Sequence, residues 1–503
     1  MHLSLNNSLG KWILPTTAPF SPEALNYFDR LDAAGDTTYV DYKQPLANYI
    51  DGLVSLGGAY WDTMLSATSF VGVGIQGITV PLRDGMTVPT NNNFVAGDLD
   101  QLTGLSSDGA TKSLDLNKNA TDLSLDDHAL SFHLTNGRTT TAGRYMGGAL
   151  SNLEVLGNST GFRARSFTST IGVHGTSVSE TGLIGISRNN SADYDWMYET
   201  TGTAVIPSSV ITASPLYMFR AATTSFPAFR AATYTVGPAL DLATLEGLQA
   251  TLLSEIRTAH TFVAAASYFS RLAAAGDTTH VAYKAPLTNY ITSLVALGGA
   301  YWDDMKSSTS FVGVGIQGIT VPLRDGMTVP TQSNFVADDL NQLTGLKSNG
   351  STKYIATGIT TYDAGTINDV SISAYLTEQS ATPSNKAFIG AQGLVIRETS
   401  NTNEVNTKNR NYASQTTAAT SITGFIGHSR SSSSSYTLRL DGSSTALSQI
   451  SQVISPNEIL LFRESIFGSP SDARLATYHA GPALNLTTLE GLQDTLITEI
   501  AAI

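Results

Sequence analysis

The chain has 503 residues, of which 41% are hydrophobic and 14% charged, with a formal net charge of −13 and no cysteine. This length predicts several domains, and the negative charge argues against general nucleic-acid binding through phosphate contacts. The lack of cysteine excludes disulfides, thiolate nucleophiles and cysteine-ligated zinc, and it fits a chain folded in a reducing cytoplasm.

The N-terminal segment, residues 1–20, is expected to form an arm. Pro15 and Pro19 disfavour a helix there, whereas Trp12, Ile13 and Leu14 provide apolar side chains to bury. The segment lacks the uninterrupted apolar core of a signal peptide. No run in the chain approaches the roughly 20 apolar residues of a membrane span, so membrane insertion is not expected. The arm therefore either docks on a partner or packs on its own domain.

A small helical module is predicted next. Ser21, Pro22 and Glu23 form a helix start, with a hydroxyl cap, proline in the first turn and an acid near the positive end of the dipole. Apolar residues then recur at helical spacing up to the stop at Gly35. A second helix is predicted from near Pro45 to the glycines at 57–58, followed by a short third one.

The stretch TSFVGVGIQGITVPLRDGMTVPT occupies residues 68–90 and recurs without change at 309–331. This repeat divides the chain into two copies of one unit, and it joins the helical module to the segment that follows in each copy. We expect it to be a structural joint or subunit interface, centred on the turns Arg83, Asp84, Gly85 and Arg324, Asp325, Gly326. The arginine and aspartate either form a local ion pair or contact a neighbouring subunit.

From residue 100 to 240 the pattern changes to period two. Runs such as SFHL, TGLIGIS and FRAATYTVG, separated by Asn, Ser, Gly and Asp, predict an antiparallel sandwich. The Ala-rich, proline-free segment after Asp241 predicts a connecting helix. The predicted organisation is an arm (1–20), a helical module and joint (21–99), a sandwich (100–240), a connecting helix (241–275), a second module and joint (276–340), a second sandwich (341–484) and a C-terminal helix (485–503).

Comparison of the two copies gives no repeated catalytic set. None of the eight histidines aligns with a histidine of the other copy, which disfavours a duplicated metal site or catalytic triad. A site in one copy only stays open. Recurring acids are few, and their spacing does not require a glycosidase pair. Those considered are Asp62/Asp303, Asp84/Asp325 and Glu246/Glu490. We therefore predict a non-enzymatic protein with no catalytic residue, cofactor or metal.

Aromatic side chains are the remaining candidates for ligand contact. Sugar recognition uses aromatic platforms with polar partners, and Tyr194, Trp196 and Tyr436 are the candidates for that role. The alternative is that these residues pack in the core or on a strand face.

Several segments of the second copy carry a family resemblance. They are FVADDLNQLTGLKSNGSTKYIATG, SISAYLTE, FIGA, TGFIGHSR, ILLFRES and SDARLATYHAGPALNLTTLEGLQDTLITEI. With the VPL and VPT segments before them, they resemble bacteriophage structural proteins with concanavalin A-like, laminin G-type jelly rolls. The resemblance covers about residues 260–503 and, more weakly, 20–256, where the middle of the first copy departs from the pattern. It implies virion structural or tail-associated proteins and brings no catalytic residues.

The expected fold class is α+β, mainly β, with two tandem helical modules and jelly rolls joined by a long helix. The expected function is that of a virion structural protein, a tail fibre, baseplate or receptor-contacting component assembled in the host cytoplasm. The alternatives are a capsid decoration or fibre protein, a lectin-like module and a polysaccharide depolymerase. Expected partners are copies of the same chain, with a trimer as one candidate, other virion proteins through the arm, and a host surface glycan.

Overall fold

The computed structural model describes residues 20–136, 143–148, 153–158, 161–174, 181–209, 211–220, 228–382, 384–401, 403–418, 421–440, 442–465 and 469–503. The predicted arm therefore lies outside the described residues except for its last position. The chain divides into two compact units, Met1–His260 and Thr261–Ile503, and each is described by itself.

The first unit begins with three helices, α1 (Pro22–Ala33), α2 (Lys43–Ser55) and α3 (Gly58–Thr63). The start of α1 is as predicted, because the Ser21 hydroxyl accepts a hydrogen bond from the Ala24 amide at 3.2 Å. Short 3₁₀ turns lie at Thr38–Tyr42, Gly77–Thr79, Ala96–Asp98 and Ala120–Asp122.

The strands of the first unit are short and antiparallel. They are β1 (Ser66–Ser69), β2 (Thr90–Asn92), β3 (Leu99–Asp100), β4 (Gly104–Ser106), β5 (Ser113–Asn119), β6 (His128–Asn136), β7 (Gly143–Gly148), β8 (Leu153–Asn158), β9 (Gly161–Ser166), β10 (Gly172–Val173), β11 (Gly182–Arg188), β12 (Tyr194–Tyr198), β13 (Thr200–Ala204), β14 (Pro215–Met218) and β15 (Arg230–Gly237). One sheet has the order β13-β12-β11-β6-β15-β4-β3, with β1 also paired to β15, and the other has the order β10-β9-β8-β7-β14-β5-β2.

Alternation along the strands separates two cores in this unit. Ile184 and Ile186 of β11 pack in the cluster shared by the two sheets, together with Val155 of the smaller sheet. Leu183 of β11 instead packs in the cluster that holds α1 and α2. Because successive strand residues point to opposite faces, the helices cover the outer face of the larger sheet.

Helix α4 spans Leu242–Ala274. Leu245, Leu252 and Ile256 belong to the helical core of the first unit. Tyr268 and Leu272 belong to the helical core of the second.

The second unit contains two further helices, α5 (Lys284–Leu297) and α6 (Leu486–Ala501), with 3₁₀ turns at Thr279–Tyr283, Gly299–Tyr301 and Ala337–Asp339. Its strands are β16 (Ser307–Ser310), β17 (Thr331–Ser333), β18 (Leu340–Asn341), β19 (Gly345–Lys347), β20 (Tyr354–Thr360), β21 (Val370–Glu378), β22 (Ala387–Ala391), β23 (Leu394–Glu398), β24 (Glu404–Asn409), β25 (Gln415–Ala418), β26 (Gly424–Arg430), β27 (Ser435–Leu440), β28 (Ser443–Ser448), β29 (Glu458–Leu461) and β30 (Arg474–Gly481).

The second unit also contains two antiparallel sheets. One has the order β18-β19-β30-β21-β26-β27-β28, with β16 paired to β30, and the other has the order β17-β20-β29-β22-β23-β24-β25. A cluster of buried apolar side chains that includes Ile372, Ile426, Ile389 and Leu461 lies between them. The prediction of a mainly β protein built of antiparallel, sandwich-like sheets is confirmed.

Candidate functional site

A buried carboxylate outside the repeated stretch holds that stretch in place. Asp36 is 1% exposed and accepts hydrogen bonds from the amides of Thr38 at 2.8 Å and Gly74 at 2.7 Å. Asp277 of the second unit accepts the equivalent bonds from the amides of Thr279 and Gly315, both at 2.8 Å. Charge-assisted bonds of this kind are stronger than neutral ones, so each aspartate fixes the repeated loop on its helical module.

The same carboxylates explain one glycine of the repeat. A Cβ atom at Gly77 would lie 2.2 Å from the Oδ2 atom of Asp36, and one at Gly318 would lie 2.3 Å from Oδ2 of Asp277. The two aspartates were not among the site residues predicted from the sequence. The signal was present, because the tetrapeptide GDTT occurs at the same position of each copy.

The arginine of each predicted turn donates to a distant main-chain carbonyl instead of forming a local ion pair, and in the first unit this bond caps a helix. The Nη2 atom of Arg83 donates to the carbonyl of Met64, the C-cap residue directly after α3, at 2.9 Å, and Nη1 donates to the main-chain carbonyl of Asp84 at 3.0 Å. Arg324 makes the equivalent bond to Met305 at 2.9 Å. Basic groups at a helix C-terminus satisfy free carbonyls, so the arginine has a structural role within its own unit.

The turn geometry itself agrees with the sequence. Gly85 and Gly326 have φ angles of 78° and 77°, which side chains other than glycine adopt at a cost. Asp84 and Asp325 are exposed beside them. A subunit contact at these residues stays a prediction.

Two of the three predicted ligand-contact aromatics are buried, so that prediction is wrong for them. Tyr194 is 1% exposed and Tyr436 is 3% exposed, because both side chains face the sandwich core. The Tyr194 hydroxyl bonds to Nε2 of His174 at 2.7 Å. Trp196 is half-buried and its ring stacks on that histidine at 5.1 Å.

The two tyrosines instead pack against buried arginines. Arg188 and Arg430 are fully buried, and each guanidinium lies over a tyrosine ring, Tyr194 at 5.3 Å and Tyr436 at 5.4 Å. Burial lowers the pKa of both arginines. Their hydrogen bonds go mainly to main-chain carbonyls of neighbouring loops, so they hold the sheet ends together.

Most described histidines are buried and uncharged at neutral pH. Burial lowers the pKa of His128 and His428 to about 3 and that of His133, His174 and His479 to about 4. A neutral buried imidazole that gains a proton on unfolding makes the fold sensitive to acid. Within the described residues, no group of three or more His, Cys, Asp and Glu residues could hold a metal ion.

We predict that His479→Thr reduces this acid sensitivity. The pKa of His479 is near 6.5 in the unfolded chain and about 4 in the folded protein. As the pH falls from 6.5 towards 4, the unfolded chain therefore takes up the proton first, and the folded state loses stability. At pH 5 the loss amounts to about 2 kcal/mol for one such group. Threonine is the residue of the first copy at this position, Thr235, where it bonds to Ser131 at 2.6 Å.

Urea unfolding of both proteins at pH 7 and pH 5 measures the effect. The free energy of unfolding of the variant should fall less between the two pH values than that of the wild type. An equal fall in both proteins would contradict the assignment of acid sensitivity to His479.

Two fully buried carboxyls lie in the second unit. Burial raises the pKa of Glu398 to about 7 and also raises the pKa of Glu464. The Nη1 atom of Arg397 lies 3.7 Å from Oε2 of Glu464. A raised carboxyl pKa is typical of general acids. Both side chains are enclosed by the protein and are out of reach of a substrate, so we assign them a structural role.

An open cavity of about 240 Å³ lies among the loops at one end of the second sandwich. Its lining consists of Tyr362, Gly365, Thr366, Ile367, Arg410, Gln452 and Val453. Arg410 is 2% exposed, whereas Tyr362 is 48% exposed and Val453 73% exposed. The cavity thus combines a buried cation with an accessible aromatic ring, which is a combination suited to ligand binding.

None of the residues that line this cavity was predicted from the sequence as a site residue. Arg410 lies in the polar run NTKNRNYASQ, which has the composition of an exposed loop. Only the fold shows that the side chain turns inward, from a residue with a φ of 53° directly after β24.

Comparisons with known proteins do not assign a family. No family model and no curated protein matches the chain. Among solved structures, domain 4 of AbnA, a GH43 extracellular arabinanase from Geobacillus stearothermophilus in complex with arabinotriose, is 12% identical with a TM-score of 0.23, covering 37% of this chain and 98% of that one.

Two further solved structures are similarly distant. Trypanosoma rangeli sialidase with sialic acid is 11% identical with a TM-score of 0.28, covering 46% of this chain and 39% of that one. The binding domain of botulinum neurotoxin DC with rat synaptotagmin II is 9% identical with a TM-score of 0.31, covering 84% and 99%. Similarity this low supports no inference about function. In the described part of the chain, no helix has the length and apolar character to cross a membrane.

Proposed function

We propose that this protein is a structural component of a bacteriophage virion, a tail fibre, baseplate or receptor-contacting protein. One observation carries the proposal most directly. The stretch that is identical in the two copies contains no catalytic set, and its main chain is anchored by the buried carboxylates of Asp36 and Asp277. The most strictly repeated part of the chain is thus architectural, as expected of a structural protein.

The proposal includes a duplicated architecture. Each copy is a small helical module with a joint and a jelly roll, and α4 is the helix that connects the copies. The equivalent order of strands in the sheets of the two units supports this arrangement. So do the equivalent hydrogen bonds that Arg83 and Arg324 donate to the carbonyls of Met64 and Met305.

Localisation on virus particles tests the proposal. Gold-labelled antibodies against the purified protein should decorate intact particles, and labelling confined to the tail separates a tail component from a capsid decoration or fibre protein. An antibody against an unrelated host protein is the control. Particles that carry no label and contain no such chain by mass spectrometry would refute a virion role.

A homo-oligomer is part of the same proposal, with a trimer as one candidate and the exposed turn at Asp84 and Asp325 as one contact. Light scattering at micromolar concentration should give a mass above the 53.1 kDa of one chain. Charge reversal at both turns by Asp84→Lys and Asp325→Lys should lower that mass. A monomeric wild-type protein would contradict an assembly that forms without the virion.

A carbohydrate-binding module is the second candidate function. The observation that favours it is the cavity of the second unit, where the half-exposed ring of Tyr362 lies beside Arg410. A glycan array tests it. Binding would support a carbohydrate-binding module or a receptor-contacting virion protein, whereas no binding would leave a purely structural role. Incubation with envelope polysaccharide should release no new reducing ends, and release would instead indicate a depolymerase.

A further inference from the structure

The cavity beside β24 contains a single charged side chain among its described lining residues, Arg410. Its Nη2 atom donates to the main-chain carbonyls of Thr361 and Gly365. Its Nε atom has no hydrogen-bond partner among the described residues. The guanidinium is thus fixed in position by two carbonyls while part of its donor capacity is unused.

Arg410 remains a cation at neutral pH. Burial lowers its pKa to about 10, with Tyr362 opposing that effect and Arg430 adding to it. No carboxylate is among these influences. A buried charge without a counter-ion is costly, and an anion that enters the cavity would supply the missing partner through charge-assisted hydrogen bonds.

The walls around Arg410 are suited to a ring-shaped ligand. The guanidinium carbon lies 5.8 Å from the centre of the Tyr362 ring, which is 48% exposed and presents an accessible aromatic face. Thr366 and Gln452 are exposed lining residues that add hydrogen-bonding groups. A sugar ring has both a C–H face for an aromatic wall and hydroxyls for a polar rim.

The size of the cavity limits the bound group. Its volume of about 240 Å³ lies below the range of roughly 300–1,000 Å³ typical of pockets for drug-sized ligands. The occupant is therefore no larger than about one sugar residue, while the opening to solvent allows a longer chain to extend outwards.

The first unit provides an internal comparison. Phe167 follows β9 as Arg410 follows β24, and both have a left-handed main chain, with φ angles of 48° and 53°. The carbonyls of the two residues accept equivalent hydrogen bonds, from Ser209 and Gln452, both at 2.6 Å. Phe167 is fully buried against the ring of His128 at 4.5 Å.

The same backbone therefore carries an apolar core residue in one copy and a buried cation beside a cavity in the other. Packing at this position does not require arginine, since phenylalanine fills it in the first copy. The arginine of the second copy calls for another explanation.

We propose that this cavity binds the carboxylate of an acidic sugar residue, with Arg410 as the anion-binding group and Tyr362 as the stacking face. This deepens the receptor-contacting role proposed above. It rests on that proposal only for the source of the sugar, since the binding itself can be tested on the isolated protein.

Saturation-transfer NMR with the full-length protein tests the proposal. The probes are sodium galacturonate, galactose as the neutral sugar with the same ring configuration, and acetate as the carboxylate without a ring. Galacturonate should bind with at least tenfold higher affinity than either of the other two. No binding of galacturonate, or equal binding of galactose or acetate, would overturn the acidic-sugar assignment.

Variants assign the effect to the cavity. Arg410→Phe introduces the residue of the first copy, and Arg410→Gln provides a second replacement should that variant fold poorly, with circular dichroism as the check. Both should lower galacturonate affinity at least tenfold, and Tyr362→Thr should lower it several-fold. Unchanged affinity in a folded Arg410 variant would refute the site.

A matched control removes the same charge elsewhere in the unit. Arg463 lies over the ring of Tyr354, at the opposite end of β20 from Tyr362. The length of β20 places the two tyrosines roughly 20 Å or more apart. Arg463→Gln should leave galacturonate affinity within twofold of the wild-type value, and a loss equal to that of Arg410→Phe would point to a general charge effect and refute the cavity assignment.

Polygalacturonate separates the two sources of an acidic sugar. Tighter binding of the polymer than of the monomer, abolished by Arg410→Phe, supports a surface polysaccharide as the ligand. Binding of the monomer alone supports a free acidic sugar. Neither binding measurement uses virus particles. Failure to bind the sugar therefore leaves the virion localisation experiment unaffected, and failure of the localisation experiment leaves the sugar-binding test unaffected.

Discussion

Replacing Asp277 with alanine should destabilise the second unit by about 3–6 kcal/mol, because two charge-assisted hydrogen bonds are lost and buried amides remain without a partner. The carboxylate is 1% exposed and its Oδ2 atom lies 2.8 Å from the amide of Gly315, so water cannot readily replace it. Asp36→Ala should have an effect of the same size in the first unit.

Hydrogen exchange followed by mass spectrometry localises the two effects. Asp277→Ala should increase exchange within residues 310–318, and Asp36→Ala should increase exchange within residues 69–77. Asp304→Ala is the control, because this side chain is exposed and its removal should change stability by less than about 0.5 kcal/mol. A loss below 1 kcal/mol for both buried aspartates would show that the loop is held by other contacts.

Asp277→Asn separates charge from shape. The amide is nearly isosteric with the carboxylate but offers only one acceptor oxygen, whereas the native side chain accepts bonds through both oxygens. We therefore expect this variant to lose more than half of the stability lost by Asp277→Ala. Wild-type stability in the asparagine variant would exclude a role for the charge.

Much of the β architecture could be predicted because it depends on patterns of neighbouring residues in the sequence. The runs SFHL and TGLIGIS alternate in the way that β6 and β11 require, with one face in the sandwich core. The start of α1 at Ser21 was equally local, since cap, proline and acid are adjacent in the chain. These features need no knowledge of distant contacts.

The aromatic residues show where a sequence pattern was interpreted wrongly. Tyr194 and Trp196 share one face of β12 by their spacing, and that face packs on the core cluster. Their proposed role as platforms required the opposite face. The apolar residues on the neighbouring strand β11 were the available evidence for a core position.

The buried polar residues could not be predicted, because their partners are distant in sequence. Asp36 and Gly74 are separated by 38 residues and Arg410 and Gly365 by 45. In the sequence each of these charged residues occurs in a polar segment typical of a loop. Comparison of the copies could nevertheless have shown that Asp36 recurs and that Arg410 does not.

The second large effect is expected for Arg430→Met. The guanidinium is fully buried and donates to the carbonyls of Asn409 at 2.7 Å, Gln449 at 2.9 Å and Ser432 at 3.0 Å. Methionine would fill much of the volume but leave these carbonyls unsatisfied, so we expect a loss of about 3–5 kcal/mol in the free energy of unfolding. Urea unfolding at pH 7 measures it.

Arg430→Lys identifies the origin of that loss. Lysine keeps the positive charge but cannot span the separate carbonyls with a planar group of donors, so most of the loss should persist. Arg188→Met should give a comparable loss in the first unit, where the guanidinium bonds to the carbonyl of Ile206 at 2.8 Å and to the hydroxyl of Ser166 at 3.0 Å. Wild-type stability in the lysine variant would mean that the positive charge alone explains the stabilising effect of Arg430. A persistent loss would mean that both copies use the planar set of guanidinium hydrogen bonds to tie these loops to the sheet.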